Sequence, residues 1–269
     1  MRKIVSVLSL VFLTYAAPAL ASSSNWYEAA GGRVRLITAG QPDDKGVIQG
    51  TLQIDLKPGW KTYWLDPGDA GVPPSLDVTK STNVASAEMS FPPPHRYDDG
   101  FAKWAGYDQS VSFPIAFTLA DKSRAGQIEA DVFLGICETI CVPLQATLTL
   151  DTASDPDNAD DAADVEAATA ALPGPEQPDF GVTLVSAGKD ELLVEATFAG
   201  DPSSVDFFLA GADGYQFAPP VRRQDGDKLL FSVPILERPD KTPDKGGLRY
   251  TLVTEAGAVA GMLPYPPAP

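Results

Sequence analysis

Cysteine and histidine are almost missing from this chain of 269 residues, which has two of the first and one of the second. So few cysteines exclude a fold held together by a disulfide framework. Cys137, Cys141 and His95 also leave a four-ligand zinc site short of donors. Positive charge is scarce as well: 20 Lys and Arg face 36 Asp and Glu, a formal charge of −16. Nucleic acid and anionic lipid are poor partners for such a surface, and the acidity serves solubility. Long apolar runs are lacking too. Nothing after the N-terminus approaches the roughly 18 consecutive apolar residues of a membrane-spanning helix, so the processed chain is expected to be soluble and not membrane-embedded.

The N-terminus is the exception. Arg2 and Lys3 precede an apolar stretch over residues 4–13, which leads to Ala19-Leu20-Ala21 and then a serine run over 22–24. Basic, apolar and small-residue regions in that order describe a secretory signal peptide over residues 1–21, cleaved after Ala21. An uncleaved anchor would leave the same protein facing the same compartment. Cleavage removes Arg2 and Lys3 and takes the formal charge from −16 to −18. The remaining 250 or so residues suffice for one large or two ordinary hydrophobic cores, in an oxidising compartment where two cysteines can pair.

From Val34 to Leu150 short β segments alternate with Gly, Pro and Asp clusters and show little helical periodicity. Strands at this density predict an antiparallel β-sandwich over residues 22–150. Residues 151–177 turn to Asp, Ala and Pro, with a helix expected over 161–172 and ended by Pro173-Gly174-Pro175. The β pattern resumes after Phe180, predicting a second, smaller β-sandwich-like domain over 178–269. That region has no Cys and no His, so redox or metal chemistry is not expected there.

Ile128, Ala130, Val132, Leu134 and Ile136 share one face of a half-buried strand, and Val142, Leu144, Ala146, Leu148 and Leu150 repeat the alternation after Cys141. An extended chain from Cys137 to Cys141 would span about 13 Å, whereas disulfide Cα atoms lie about 4.4 to 6.8 Å apart. The segment must therefore turn, and the turn places the pair at an edge of the sandwich. A loop of five residues gains only about 2 kcal/mol from its disulfide. Local, exposed loops suit making and breaking better than bracing. The spacing alone leaves three readings open: a redox-active pair, an inert disulfide, and a copper(I) site formed by two soft thiolates.

Several segments together resemble a known family: Pro58-Gly-Trp-Lys-Thr-Tyr-Trp64, Asp66-Pro-Gly-Asp-Ala-Gly71, Pro92-Pro-Pro-His-Arg-Tyr97, Gly106-Tyr107 and Gly135-Ile-Cys-Glu-Thr-Ile-Cys-Val-Pro143. In order and spacing they are similar to the N-terminal, or alpha, periplasmic domain of DsbD-type thiol:disulfide interchange proteins, nearest the ScsB-like branch associated with copper tolerance. The resemblance covers about residues 30–150. It implies an immunoglobulin-like sandwich in the periplasm whose cysteine pair relays electrons without a bound cofactor. Thioredoxin-like periplasmic proteins or a membrane electron donor would be its partners. It also implies a cap loop over residues 97–104, with Phe101 shielding the pair, Tyr63 and Trp60 lining the site, and Asp98 and Asp99 as an acidic pair beside the cysteines.

Each of these residues has a plainer reading. Trp60 and Tyr63 sit where aromatics commonly pack across strands. Asp98 and Asp99 precede Gly100 as in an ordinary turn. His95 follows three prolines and reads as an exposed loop residue. Glu138, inside the cysteine loop, either raises a neighbouring thiol's pKa through its charge or is a solvated turn residue. Family members continue into a multi-helix membrane domain and a thioredoxin-like domain with a C-x-x-C motif. Neither is in this sequence, so reductant is expected from a separate protein. The C-x-x-x-C spacing also differs from the longer spacing of some relatives.

Overall fold

A computed structural model of the chain describes residues 22–68, 71–98, 100, 103–212 and 214–266. The expected signal peptide, Asp99 and Phe101 lie outside the described residues. The described chain is nearly all β and forms two sandwiches in tandem, each made of two sheets.

In the first, one sheet has five strands in the order β1 (Tyr27–Ala29), β2 (Gly32–Ala39), β3 (Val47–Leu56), β9 (Val111–Leu119) and β6 (Val84–Met89). The facing sheet runs β11 (Cys141–Asp151), β10 (Gln127–Cys137), β4 (Lys61–Tyr63), β8 (Lys103–Tyr107) and β7 (His95–Asp98). A short β5 (Ser75–Asp77) also pairs with β10. All these pairings are antiparallel. Ile128, Ala130, Val132, Leu134 and Ile136 of β10 point inward, as their alternation predicts, and meet Leu36, Leu52, Phe113 and Phe117 of the opposite sheet in one core.

Helix α1 (Ala159–Ala170) lies against β2, β3 and β9 of the first sandwich. It starts two residues earlier than the pattern predicts because Asn158 caps it, accepting from the Asp160 and Asp161 amides. Two carboxylates tie the helix down: Asp161 accepts from Ser22 Oγ at 2.6 Å, and Asp164 pairs with Arg35 at 3.1 Å.

The second sandwich has one sheet of β12 (Gly174–Pro175), β20 (Gly257–Leu263), β19 (Leu248–Thr254) and β15 (Asp206–Leu209). The other comprises β13 (Gly181–Ala187), β14 (Glu191–Thr197), β18 (Lys228–Glu237) and β16 (Gln216–Phe217), with β17 (Val221–Asp225) also on β18. Leu192, Val194, Phe207, Phe231, Tyr250 and Leu252 fill its core.

Strand β15 joins the two halves through its pleat. Phe207 and Leu209 point into the second core, while Phe208 and, just past the strand, Ala210 complete the first. Trp64, just after β4, meets Phe208 edge-on with centroids 5.7 Å apart. Asp66 accepts from the Gly211 amide at 2.7 Å. Among the described residues no helix is long and apolar enough to cross a membrane.

Candidate functional site

Strands β10 and β11 form a hairpin in unbroken register from Gln127↔Asp151 to Cys137↔Cys141. The turn that reach required is the hairpin end, Glu138-Thr139-Ile140, where the Glu138 amide donates to the Ile140 carbonyl at 3.4 Å. It brings the cysteine Cα atoms to 4.0 Å, just under the usual disulfide range, and the sulfurs are bonded. The bond thus spans the last pair of the ladder at one end of the sheet.

The two sulfurs differ in surroundings. Cys137 is 1% exposed, because β4 continues the sheet on its other side, with Lys61 opposite Cys137 and Thr62 opposite Ile136. Cys141 lies on the edge strand β11 and is exposed. Its neighbours Ile140 and Val142 are exposed too, at 75% and 41%.

The pleat decides what covers Cys137. Register places Cys137, Lys61, Tyr63, Trp104 and Tyr97 on one face, and Ile136, Thr62, Ala105, Tyr107 and Arg96 on the other. The first set forms a cluster separate from the main core, in which Tyr63, Trp104 and Cys137 are buried and Tyr97 packs against them. Tyr63 meets Trp104 edge-on at 5.9 Å. Trp104 stacks on Tyr97 at 4.0 Å, and the Lys61 ammonium lies 4.2 Å above the Trp104 ring. Tyr63 Oη is 3.1 Å from Cys137 Sγ and 3.2 Å from Cys141 Sγ. Disulfide sulfur has no proton, so the phenol is the donor to both.

Two glycines make room for that phenol. A Cβ on Gly135 would come within 2.9 Å of the Tyr63 ring, and one on Gly71 would also stand at 2.9 Å. Thr62 Oγ1 donates to the Gly135 carbonyl at 3.0 Å and fixes β4 against β10. Burial and the Asp108 carboxylate push the Tyr97 phenol well above its ordinary range. Burial alone does so for Tyr107, whose hydroxyl donates to the Pro92 carbonyl at 2.8 Å. Trp104 Nε1 is buried without a hydrogen-bond partner among the described residues.

The structure thus brings Tyr63 onto the sulfurs. Trp60 is half-buried beside the main core, against Ile136 and above Gly31, where an added Cβ would fall 2.0 Å from its ring. Asp98 is exposed at the end of β7, accepts from the Gly100 amide at 3.0 Å and lies 4.0 Å from Lys103 Nζ. His95 is exposed, with its ring 6.3 Å from Tyr97. Glu138 is exposed on the hairpin end and points toward Gly59. Sequence reasoning confined Trp104 to the end of a cap loop. In the structure Trp104 is on β8, and its ring bridges Tyr63 and Tyr97. Its position two residues before Gly106-Tyr107 was the available signal. Among the described residues no group of three or more His, Cys, Asp or Glu could hold a metal ion.

Residues 34–153 match the family described as thiol:disulfide interchange protein DsbD, N-terminal. No curated protein matches the sequence. The fold is similar to that in the crystal structure of the N-terminal periplasmic domain of ScsB from Proteus mirabilis, with a TM-score of 0.71 and 22% identity over 91% of this chain and 99% of that one. That likeness extends over both sandwiches and not the first alone.

Proposed function

We propose that the protein, whose residues 34–153 match the DsbD N-terminal family, relays electrons in the periplasm by thiol–disulfide interchange through a reversible Cys137–Cys141 bond. Its partners are thioredoxin-like periplasmic proteins or a membrane electron donor. The observation that carries this reading is the asymmetry of the pair. Cys141 is exposed on an edge strand between exposed apolar residues, whereas Cys137 is buried beneath aromatics.

In the reduced protein the Cys141 thiolate attacks one sulfur of a partner disulfide. That S–S bond breaks, the partner's second sulfur leaves as a thiolate, and Cys141 is joined to the partner. The Cys137 thiolate then attacks Cys141 Sγ, which closes the internal disulfide and releases the partner's first sulfur as a thiolate. Two electrons pass to the partner. The two protons given up by Cys137 and Cys141 return through solvent to the partner's thiolates. Recharging by a donor dithiol runs through the same steps in reverse, with Cys137 as leaving group. Tyr63 Oη, already within hydrogen-bond distance of Cys137 Sγ, stabilises the thiolate formed there. Ile140, Val142 and Val72 offer an apolar rim on which a partner can dock.

Trapping tests the reading. Cys137→Ala leaves Cys141 free to attack but removes the resolving thiol, so a thioredoxin-like partner should accumulate as a mixed disulfide on non-reducing gels. Cys141→Ala should capture none. If neither variant captures a periplasmic protein, the relay reading fails.

A further inference from the structure

Two adjacent residues of β7 face opposite ways. Tyr97 stacks on Trp104, which in turn meets Tyr63, the residue that touches both sulfurs. Arg96 turns to the second sandwich, where its guanidinium donates to the Phe207 carbonyl at 2.9 Å, reaches both oxygens of Asp206 at 3.3 Å and lies 4.6 Å above the Phe208 ring. The same division recurs after β4: Tyr63 touches both sulfurs and Trp64 packs on Phe208. At both places one peptide unit therefore separates the aromatic cluster around Tyr63 from the junction between sandwiches.

We propose that the second sandwich is a positioning element for the disulfide site, with Arg96 and Phe208 as the positioning residues that keep β7 and β8, and so Tyr97 and Trp104, packed behind the Tyr63 that touches the sulfurs. β7 is the last strand of its sheet, and of its residues His95 and Asp98 are exposed. Edge strands open at low cost unless something covers them. Here the cover is β15, and the charge-assisted bonds of Arg96 are the polar part of it. Loss of those bonds leaves β7 held only through β8, so Trp104 and with it Tyr63 are held less firmly and the sulfurs become more accessible. The second sandwich lacks Cys and His, yet it sets how readily the bond exchanges.

The inference rests on the Cys137–Cys141 bond being reducible, and its test uses dithiothreitol and needs no protein partner. The oxidised full-length protein and its variants are mixed with dithiothreitol, and the rate of disulfide reduction is followed beside the melting temperature. Asp206→Asn should speed reduction about tenfold, the ratio expected for one lost charge-assisted hydrogen bond, and Arg96→Ala, which also loses the bond to the Phe207 carbonyl, by more than that. Arg96→Lys, which keeps the charge without the fork, should fall between. The control is Arg249→Ala. Its partner Glu88 also spans the two sandwiches, at 3.2 Å, but from β6 and away from the hairpin, so its rate should change by less than about twofold.

A wild-type rate in the Asp206→Asn protein, which changes one atom and leaves the fold's shape, overturns the proposal. So does an equal acceleration in Arg249→Ala, which would mean general loosening. Failure of the relay reading looks different: the wild-type bond then resists dithiothreitol altogether, and the inference falls with it.

Discussion

In the C-terminal sandwich the aromatic side chains Phe207, Tyr215, Phe231 and Tyr250 all enter one core, with Phe207 and Phe231 5.4 Å apart. In the N-terminal sandwich Phe113, Phe117 and Tyr107 do the same, but Tyr63 and Trp104 leave that core and gather with Tyr97 around a sulfur. Tyr63 and Trp104 are as buried as the core aromatics, so they keep the stabilisation of burial while one of them also lies against the sulfurs. The difference marks where this molecule holds apolar mass for chemistry and where it holds it for folding.

The sharpest test of that division sets Cys141→Ser against Leu252→Ala. Removing the exposed sulfur should abolish interchange, while stability falls by only about 2 kcal/mol because the lost ring is five residues long. Truncating Leu252, fully buried in the second core, should cost about 2 to 5 kcal/mol and leave interchange in place, its rate per folded molecule changed far less than by loss of the sulfur. Urea unfolding and a thiol-exchange assay on each variant decide the matter. A large stability loss in the serine variant would turn the disulfide back into a brace.

A matched pair of glycines gives a smaller effect. Gly135 lies under the Tyr63 ring, and Gly261 lies under Tyr250, where an added Cβ would stand 2.7 Å from the phenol oxygen. Alanine at either position should destabilise by about 1 to 3 kcal/mol through overpacking. Only Gly135→Ala should change the rate at which dithiothreitol reduces the bond. Equal rates in both would mean that Tyr63 does not govern access to the sulfurs.

The smallest effect lies at alkaline pH, where the two sandwiches should behave alike. Burial and a nearby carboxylate raise the phenol of Tyr97, beside Asp108, and that of Tyr250, hydrogen-bonded to Glu176, above the ordinary 10.0. A folded-state value above the unfolded one favours the fold while both states are protonated. That contribution is lost as pH rises past about 10, because the unfolded chain ionises first. Urea midpoints should therefore fall between pH 9 and pH 11, values chosen to bracket a tyrosine's ordinary pKa. Tyr97→Phe and Tyr250→Phe should each flatten part of the slope. A slope unchanged in Tyr250→Phe would confine the effect to the disulfide side.

The disulfide hairpin was legible because alternation and reach are local properties. Residues 128–136 and 142–150 show their faces directly, and five residues cannot both stay extended and bond. Which strands adjoin was not legible. Parity tells that Tyr63 and Trp64 face opposite ways, but not that β4 would sit beside Cys137 or that β8 would bring Trp104 over Tyr63. Trp60 shows the limit well: it stands in the same motif as Tyr63, yet it packs against Ile136 and Gly31 beside the core. The grip of Arg96 on Asp206 joins residues 110 apart in sequence, and nothing near either residue announces it. Helix α1 begins two residues before the sequence pattern predicts, because its cap, Asn158, is one polar residue among many in that stretch.

Strand β15 has a last consequence. Phe207 and Leu209 belong to one core, and Phe208 and Ala210 to the other. A slip of one residue would exchange all four and empty both cores together. Neither half can melt at this seam without exposing side chains that complete the other. The tandem should therefore unfold as a single cooperative unit, so that heat reaches the relay and its scaffold at one temperature.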